Sequence, residues 1–191
     1  EGEAHPIYRS SFLAQFVPSE LSALVGPEML TYKFTPHPHT FGLRAGVDLS
    51  LGGDATVVSV WSNARHVKDH VFHINDAHYL RSELIRVFEN YRLKPGNIVA
   101  DGGGLGDPII QEIRHAGWPI LSVKNNQRPL NKIYSNRGTE MAFNLRKLFV
   151  DRLLDPASLP PALRRQLSAR HYTYRNGILE LVSKKEFKSH N

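Results

Sequence analysis

The sequence predicts an α/β fold on a mixed sheet, with three antiparallel strands followed by parallel ones and helices on the faces. Three observations carry this. The stretch Leu43 to Val60, LRAGVDLSLGGDATVVSV, reads as a β-hairpin turning on Leu51-Gly52-Gly53-Asp54, where glycine takes positive φ without a steric cost. A third strand and an amphipathic helix follow it. Beyond them, short apolar runs alternate with helical periodicity, the pattern of parallel strands joined by crossover helices.

In the hairpin, Arg44 to Leu49 is apolar enough for a buried strand, and Thr56 to Trp61 is the β-branched and aromatic return. Residues 67–75, VKDHVFHIN, alternate at Val67, Val71 and Ile74. Asp76 then reads as an N-cap for a helix over 77–91, with Leu80, Leu84, Val87, Phe88 and Tyr91 on one face. Lys94-Pro95-Gly96 ends it. Asn97 to Ala100 is a short strand that stops at Asp101. Gly102-Gly103-Gly104-Leu105-Gly106 comes next, and Asp107-Pro108 reads as the cap and first residue of a helix reaching Ala116. Gly117 closes that helix, and Trp118 to Val123 is another strand.

Residues 124–132 form a polar, basic loop with Lys124, Asn125, Asn126, Gln127, Arg128 and Lys132. A long helix is predicted over 137–150, with a core stripe of Met141, Leu145, Leu148 and Phe149 and with Arg137, Arg146 and Lys147 off it. Pro160-Pro161 opens a shorter helix carrying Leu163 and Leu167. A final hairpin spans about 171–182 and turns at Asn176-Gly177. Residues 1–40, interrupted by Pro6, Pro18, Pro27, Pro36 and Pro38, read as a peripheral lead-in packed on a core of 41–191.

The chain has 191 residues, a length that suits one domain with a full core. It contains no cysteine, which excludes disulfides, thiol nucleophiles and Cys-zinc sites. Its opening residues lack the basic start and apolar run of a signal peptide, and no apolar stretch approaches the about 20 residues that span a bilayer. The net charge of +6 suggests an anionic partner, nucleic acid first, or else a basic surface with no specific partner. No GxxxxGK[ST] motif occurs, so this chain carries no P-loop ATPase. His37 and His39 lack a nearby third ligand and read as a polar loop; His66, His70, His73 and His78 share no face and read as surface residues.

Chemistry concentrates at the strand ends. Asp48 near the end of the first strand either caps a turn or meets a cation, because a buried unpaired carboxylate is costly. Asp101 ends a strand that would lie beside the first. Two carboxylates there repel each other unless a cation sits between them, and Mg²⁺ or Mn²⁺ suits an all-oxygen site. Paired ions of that kind activate water and stabilise the leaving oxygen of a phosphodiester. The Gly102–Gly106 run would let a phosphate backbone approach.

At these residues the sequence resembles the nuclease domain of the large terminase subunit of tailed bacteriophages, which has a ribonuclease H-like fold. The matching pieces are GVDLSLGGDATVVSV at 46–60, IVADGGGLGDPIIQEIRHAGWPI at 98–120, YSNRGTEMAFNLRKLF at 134–149 and GILELVSKKEFK at 177–188. The resemblance implies metal-dependent endonucleolytic cleavage of double-stranded DNA with little sequence specificity. It implies the cuts that begin and end viral genome packaging in the host cytoplasm. It implies the portal, the small terminase subunit and the packaging ATPase as partners, with residues 1–40 leading in from that ATPase domain. Asp48 and Asp101 match the first two acidic ligands of a two-ion Mg²⁺ or Mn²⁺ site. The family's third acid lies in a Ser-Pro-Asp type segment after the last hairpin, which is not found among residues 183–191. As substitutes, Asp107 reads as a cap, Glu180 as a hairpin residue, and Glu140 and Glu186 as helix surface. Asp54 reads as a residue behind the ligands rather than among them.

For DNA phosphates the first candidates are Lys124, Arg128, Lys132 and Arg137, followed by Lys184, Lys185 and Lys188. Two other readings stand beside this one. An actin-like ATP-dependent phosphotransferase also uses Asp-Gly-rich loops, but it needs two such domains, and nucleotide rather than DNA would stabilise it. A non-catalytic basic DNA-binding module would bind DNA regardless of Asp48.

Overall fold

The computed structural model describes residues 23–36, 42–104 and 106–182. They fall into two compact units, one spanning 36–126 and the other combining the residues up to 35 with those from 127 onward.

The unit of residues 36–126 is built on a five-stranded sheet. Its strands are β1 (Leu43–Asp48), β2 (Thr56–Ser62), β3 (Arg65–Phe72), β4 (Ile98–Asp101) and β5 (Leu121–Val123), in the order β3-β2-β1-β4-β5. β1, β2 and β3 pair antiparallel, whereas β4 pairs parallel with β1, and β5 parallel with β4. This is the mixed sheet the sequence predicts. The hairpin turn uses Gly52 at φ 69° and Gly53 at φ 132°, and the Thr56 hydroxyl closes its base by accepting from Ser50 N and donating to Ser50 O, both at 2.9 Å. A bulge at Val60/Trp61 shifts the β2–β3 register, and Val67 and Val71 of β3 are exposed.

Alternation sets the core. Ala45 and Val47, Val58 and Val60, and Ile98 and Ala100 are buried on one face of the sheet. Packed with them are Leu80, Leu84, Val87 and Phe88 of α1 (Ala77–Asn90) and Ile109, Ile110 and Ile113 of α2 (Gly106–His115). Asp76 caps α1, accepting from Tyr79 N at 2.7 Å. Gly117, at φ 89°, ends α2, and Trp118 N then donates back to Ile113 O at 3.2 Å. β5 is shorter than predicted because the chain from Trp118 to Ile120 turns before joining the sheet, held by Arg114 Nη2 on Ile120 O at 2.9 Å.

The other unit contains α3 (Arg137–Val150), α4 (Pro161–Ser168) and a two-stranded sheet of β6 (Tyr172–Arg175) and β7 (Ile178–Leu181). The β6–β7 turn has Asn176 at φ 51° and Gly177 at φ 81°, both left-handed, as a type I′ turn requires. The predicted stripe of α3 is only partly correct. Phe149 is buried, but Met141 and Leu148 are exposed and Leu145 is half-buried. Thr139 and Glu140 are buried in their place, because the chain before the helix folds over its first turns: Arg137 N bonds Gln127 O at 2.8 Å. Arg146, predicted off the stripe, is half-buried and donates to Leu24 O at 2.6 Å and to Ala23 O at 3.2 Å.

Candidate metal and phosphate site

Register builds the site. β1 and β4 pair Ala45 with Ile98, Gly46 with Val99 and Val47 with Ala100. One residue further on, Asp48 and Asp101 close their strands side by side at the C-terminal edge. Parallel neighbours lie about 4.8 Å apart. Val47 and Ala100 face the core, so alternation turns both carboxylates to the opposite face, where Asp48 is exposed and Asp101 half-buried.

Two hydrogen bonds orient the Asp101 carboxylate. Gly103 N donates to Oδ1 at 2.9 Å, and Asn125 Nδ2 donates to Oδ2 at 2.6 Å. The glycine-rich loop owes its composition to packing as well as to openness. A Cβ on Gly106 would overlap the Asp101 carbonyl oxygen, and one on Gly102 would overlap Ser122 Oγ. A Cβ on Gly103 would lie 3.2 Å from Asp101 Oδ1, so the expectation that the whole run opens the way to a phosphate is corrected to Gly104. Gly104, at φ 54°, has open space around it.

Asp107 is not the helix cap. α2 starts at Gly106, and Asp107 lies in its first turn, where it pairs with Lys124. A carboxylate there also favours the positive end of the helix dipole. Lys124, the first candidate for a phosphate contact, is thus held by Asp107. Asp54 lies in the exposed β1–β2 turn.

Arg128 and Lys132 are exposed on the loop before α3. Arg137 Nη1 donates to Glu140 Oε2 at 2.9 Å. Glu140, read in the sequence as helix surface, is buried and accepts from Leu130 N at 2.9 Å and Asn131 N at 3.1 Å. The Leu130 backbone bond above all, with Asn131 and Arg137, holds its carboxyl below the ordinary value. Glu180 lies on β7, as expected. Lys184, Lys185, Lys188, Glu186, His37 and His39 fall outside the described residues.

His66 bonds Asp69 at 2.8 Å and His70 bonds the Tyr91 hydroxyl at 3.1 Å, so these two are fold contacts. Among the described residues, no group of three or more His, Cys, Asp or Glu side chains could hold a metal ion. The Asp48–Asp101 pair still fits a hard divalent cation. It offers oxygen donors only, and each Asp101 oxygen keeps a lone pair beyond its single hydrogen bond. Sequence reasoning missed the part played by Asn125. The available signal was its place two residues past Val123, the β5 partner of Asp101.

The architecture is similar to the ribonuclease H-like fold of solved large terminase nuclease domains. The nuclease domain of the large terminase subunit gp2 of bacterial virus Sf6 is 18% identical, with a TM-score of 0.58 over 87% of this chain and 90% of that one. The large terminase nuclease from thermophilic phage G20c is 16% identical, with a TM-score of 0.55 over 90% and 94%. The G20c domain with bound magnesium is 15% identical, with a TM-score of 0.57 over 80% and 78%. No family model and no curated protein matches the sequence. Among the described residues, no helix is long and apolar enough to cross a membrane.

Proposed function

We propose that the chain is a metal-dependent endonuclease that cleaves double-stranded DNA with little sequence specificity and makes the cuts that begin and end viral genome packaging. The observation that carries this reading is the β1–β4 register, which sets Asp48 beside Asp101. Similar solved folds include domains with bound magnesium and with manganese. In this reading Asp48 and Asp101 hold Mg²⁺ or Mn²⁺ in a two-ion site, and Asp54 stands behind them. When bound, such ions supply an activated water and stabilisation of the leaving oxygen. The chain's own work is to place the carboxylates and leave Gly104 open to a phosphate.

Lys124, Arg128, Lys132, Arg137, Lys184, Lys185 and Lys188 would meet DNA phosphates, and backbone contacts of this kind carry steep salt dependence. Residues 1–40 would lead in from a packaging ATPase domain to the nuclease of 41–191. Portal and small terminase subunit would be further partners, in the cytoplasm of an infected host.

The test is plasmid cleavage with EDTA, Mg²⁺ or Mn²⁺, run beside Asp48→Asn and Asp101→Asn. Metal-dependent nicking and linearisation lost in both variants is the expected result. Cleavage that survives both substitutions would refute the site.

A further inference from the structure

We propose that Asn125 is a positioning residue that holds the Asp101 carboxylate in its cation-binding orientation, an inference that rests on the metal-nuclease reading. The Gly103 bond to Asp101 spans only two residues, so it travels with the loop that carries the aspartate. The Asn125 bond comes from 24 residues away, from the chain just past β5, and so ties the carboxylate to the next strand. That strand end is itself fixed at the two residues before the contact. Gly102 N bonds Val123 O at 2.9 Å, and Lys124 pairs with Asp107. One bond on each oxygen fixes the carboxylate plane and leaves a lone pair on each for a cation.

The chemistry selects this side chain. An ionised carboxylate only accepts, so the amide NH₂ must face Asp101 and the amide oxygen points elsewhere. The donor is also neutral. A lysine or arginine here would hold Asp101 more tightly but would set a positive charge beside the cation. Outer partners of metal-binding carboxylates typically alter metal affinity 10–100-fold when removed.

The test is Mn²⁺ binding to the full chain, followed by the electron paramagnetic resonance of free Mn²⁺. Wild type is compared with Asn125→Ala, Asp101→Asn and the neighbouring control Asn126→Ala. Asn125→Ala is expected to weaken Mn²⁺ binding about 10-fold, to raise the metal concentration for half-maximal cleavage, and to leave the maximal rate and the Tm little changed. Asn126→Ala should match wild type. The Asn125 side-chain amide resonances should move in Asp101→Asn. Should the alanine variant unfold, Asn125→Leu keeps most of the volume, removes the donor and carries the same expectation. Wild-type Mn²⁺ affinity in Asn125→Ala, with binding lost in Asp101→Asn, would overturn this role and leave the nuclease reading standing. A wild-type chain that binds no Mn²⁺ would overturn both.

Discussion

Asp101 and Glu140 are both carboxylates held by backbone N–H groups, and they are held to different ends. Glu140 is buried and accepts from two backbone amides and from the Arg137 guanidinium. Its charge is met by a cation of its own unit, and its work is to fasten the loop at Leu130 and Asn131 to α3. Asp101 is half-buried, and its two donors are neutral, Gly103 N and the Asn125 amide. Its direction is fixed while its charge is left to act outward. A carboxylate answered by its own protein is a fastener, and one merely aimed is available to a ligand.

The largest effect that would break this contrast is on cleavage. Asp101→Asn or Asp48→Asn should lower the metal-dependent cleavage rate at least about 100-fold, beyond what loss of an outer partner costs, with the fold retained by circular dichroism. Glu140→Gln should do the reverse, lowering Tm by several degrees while the rate per folded molecule stays near wild type.

Acid sharpens the point. The folded Glu140 carboxyl titrates below its ordinary value of 4.5, so its contribution is full above that value and is lost as pH falls through the lowered one. Denaturant titrations from pH 6 to 3 should show an acid loss of stability that is shallower in Glu140→Gln.

Gly106→Ala comes next. Its Cβ meets the Asp101 carbonyl oxygen, a backbone atom that does not yield easily, so a loss of about 1–3 kcal/mol is expected in chemical denaturation. Gly102→Ala should cost less, because side-chain atoms of Ser122 and Asp107 can rotate away. The smallest effect is that of Lys124→Ala, whose half-exposed ion pair with Asp107 is worth about 0–1 kcal/mol. It should nevertheless lower the salt slope of DNA binding by about 1.

The mixed sheet and the neighbouring of the strands that end at Asp48 and Asp101 were legible in sequence, because strand periodicity and turn signals mark the elements; the full strand order was not. The surroundings of each carboxylate were not. Glu140 looked like helix surface because periodicity within α3 does not reveal a loop folded over its first turns. Asp107 looked like a cap because Asp-Pro so often starts a helix, yet α2 begins one residue earlier at Gly106. Asn125 was grouped with its basic neighbours, and only the parallel β4–β5 pairing brings it to Asp101.

The β1–β4 pairing has a consequence for folding. Asp48 and Asp101 lie more than fifty residues apart in sequence, and Asn97 Nδ2 bonds Leu43 O at 3.2 Å at the far end of the same two strands. A slip of one residue would turn one aspartate to the other face. The hairpin alone can form early from local contacts, whereas docking β4 closes a long loop and is slow. A nascent or half-folded chain therefore carries one aspartate and no pair. Whatever the pair does waits on the long-range pairing of β4 with β1.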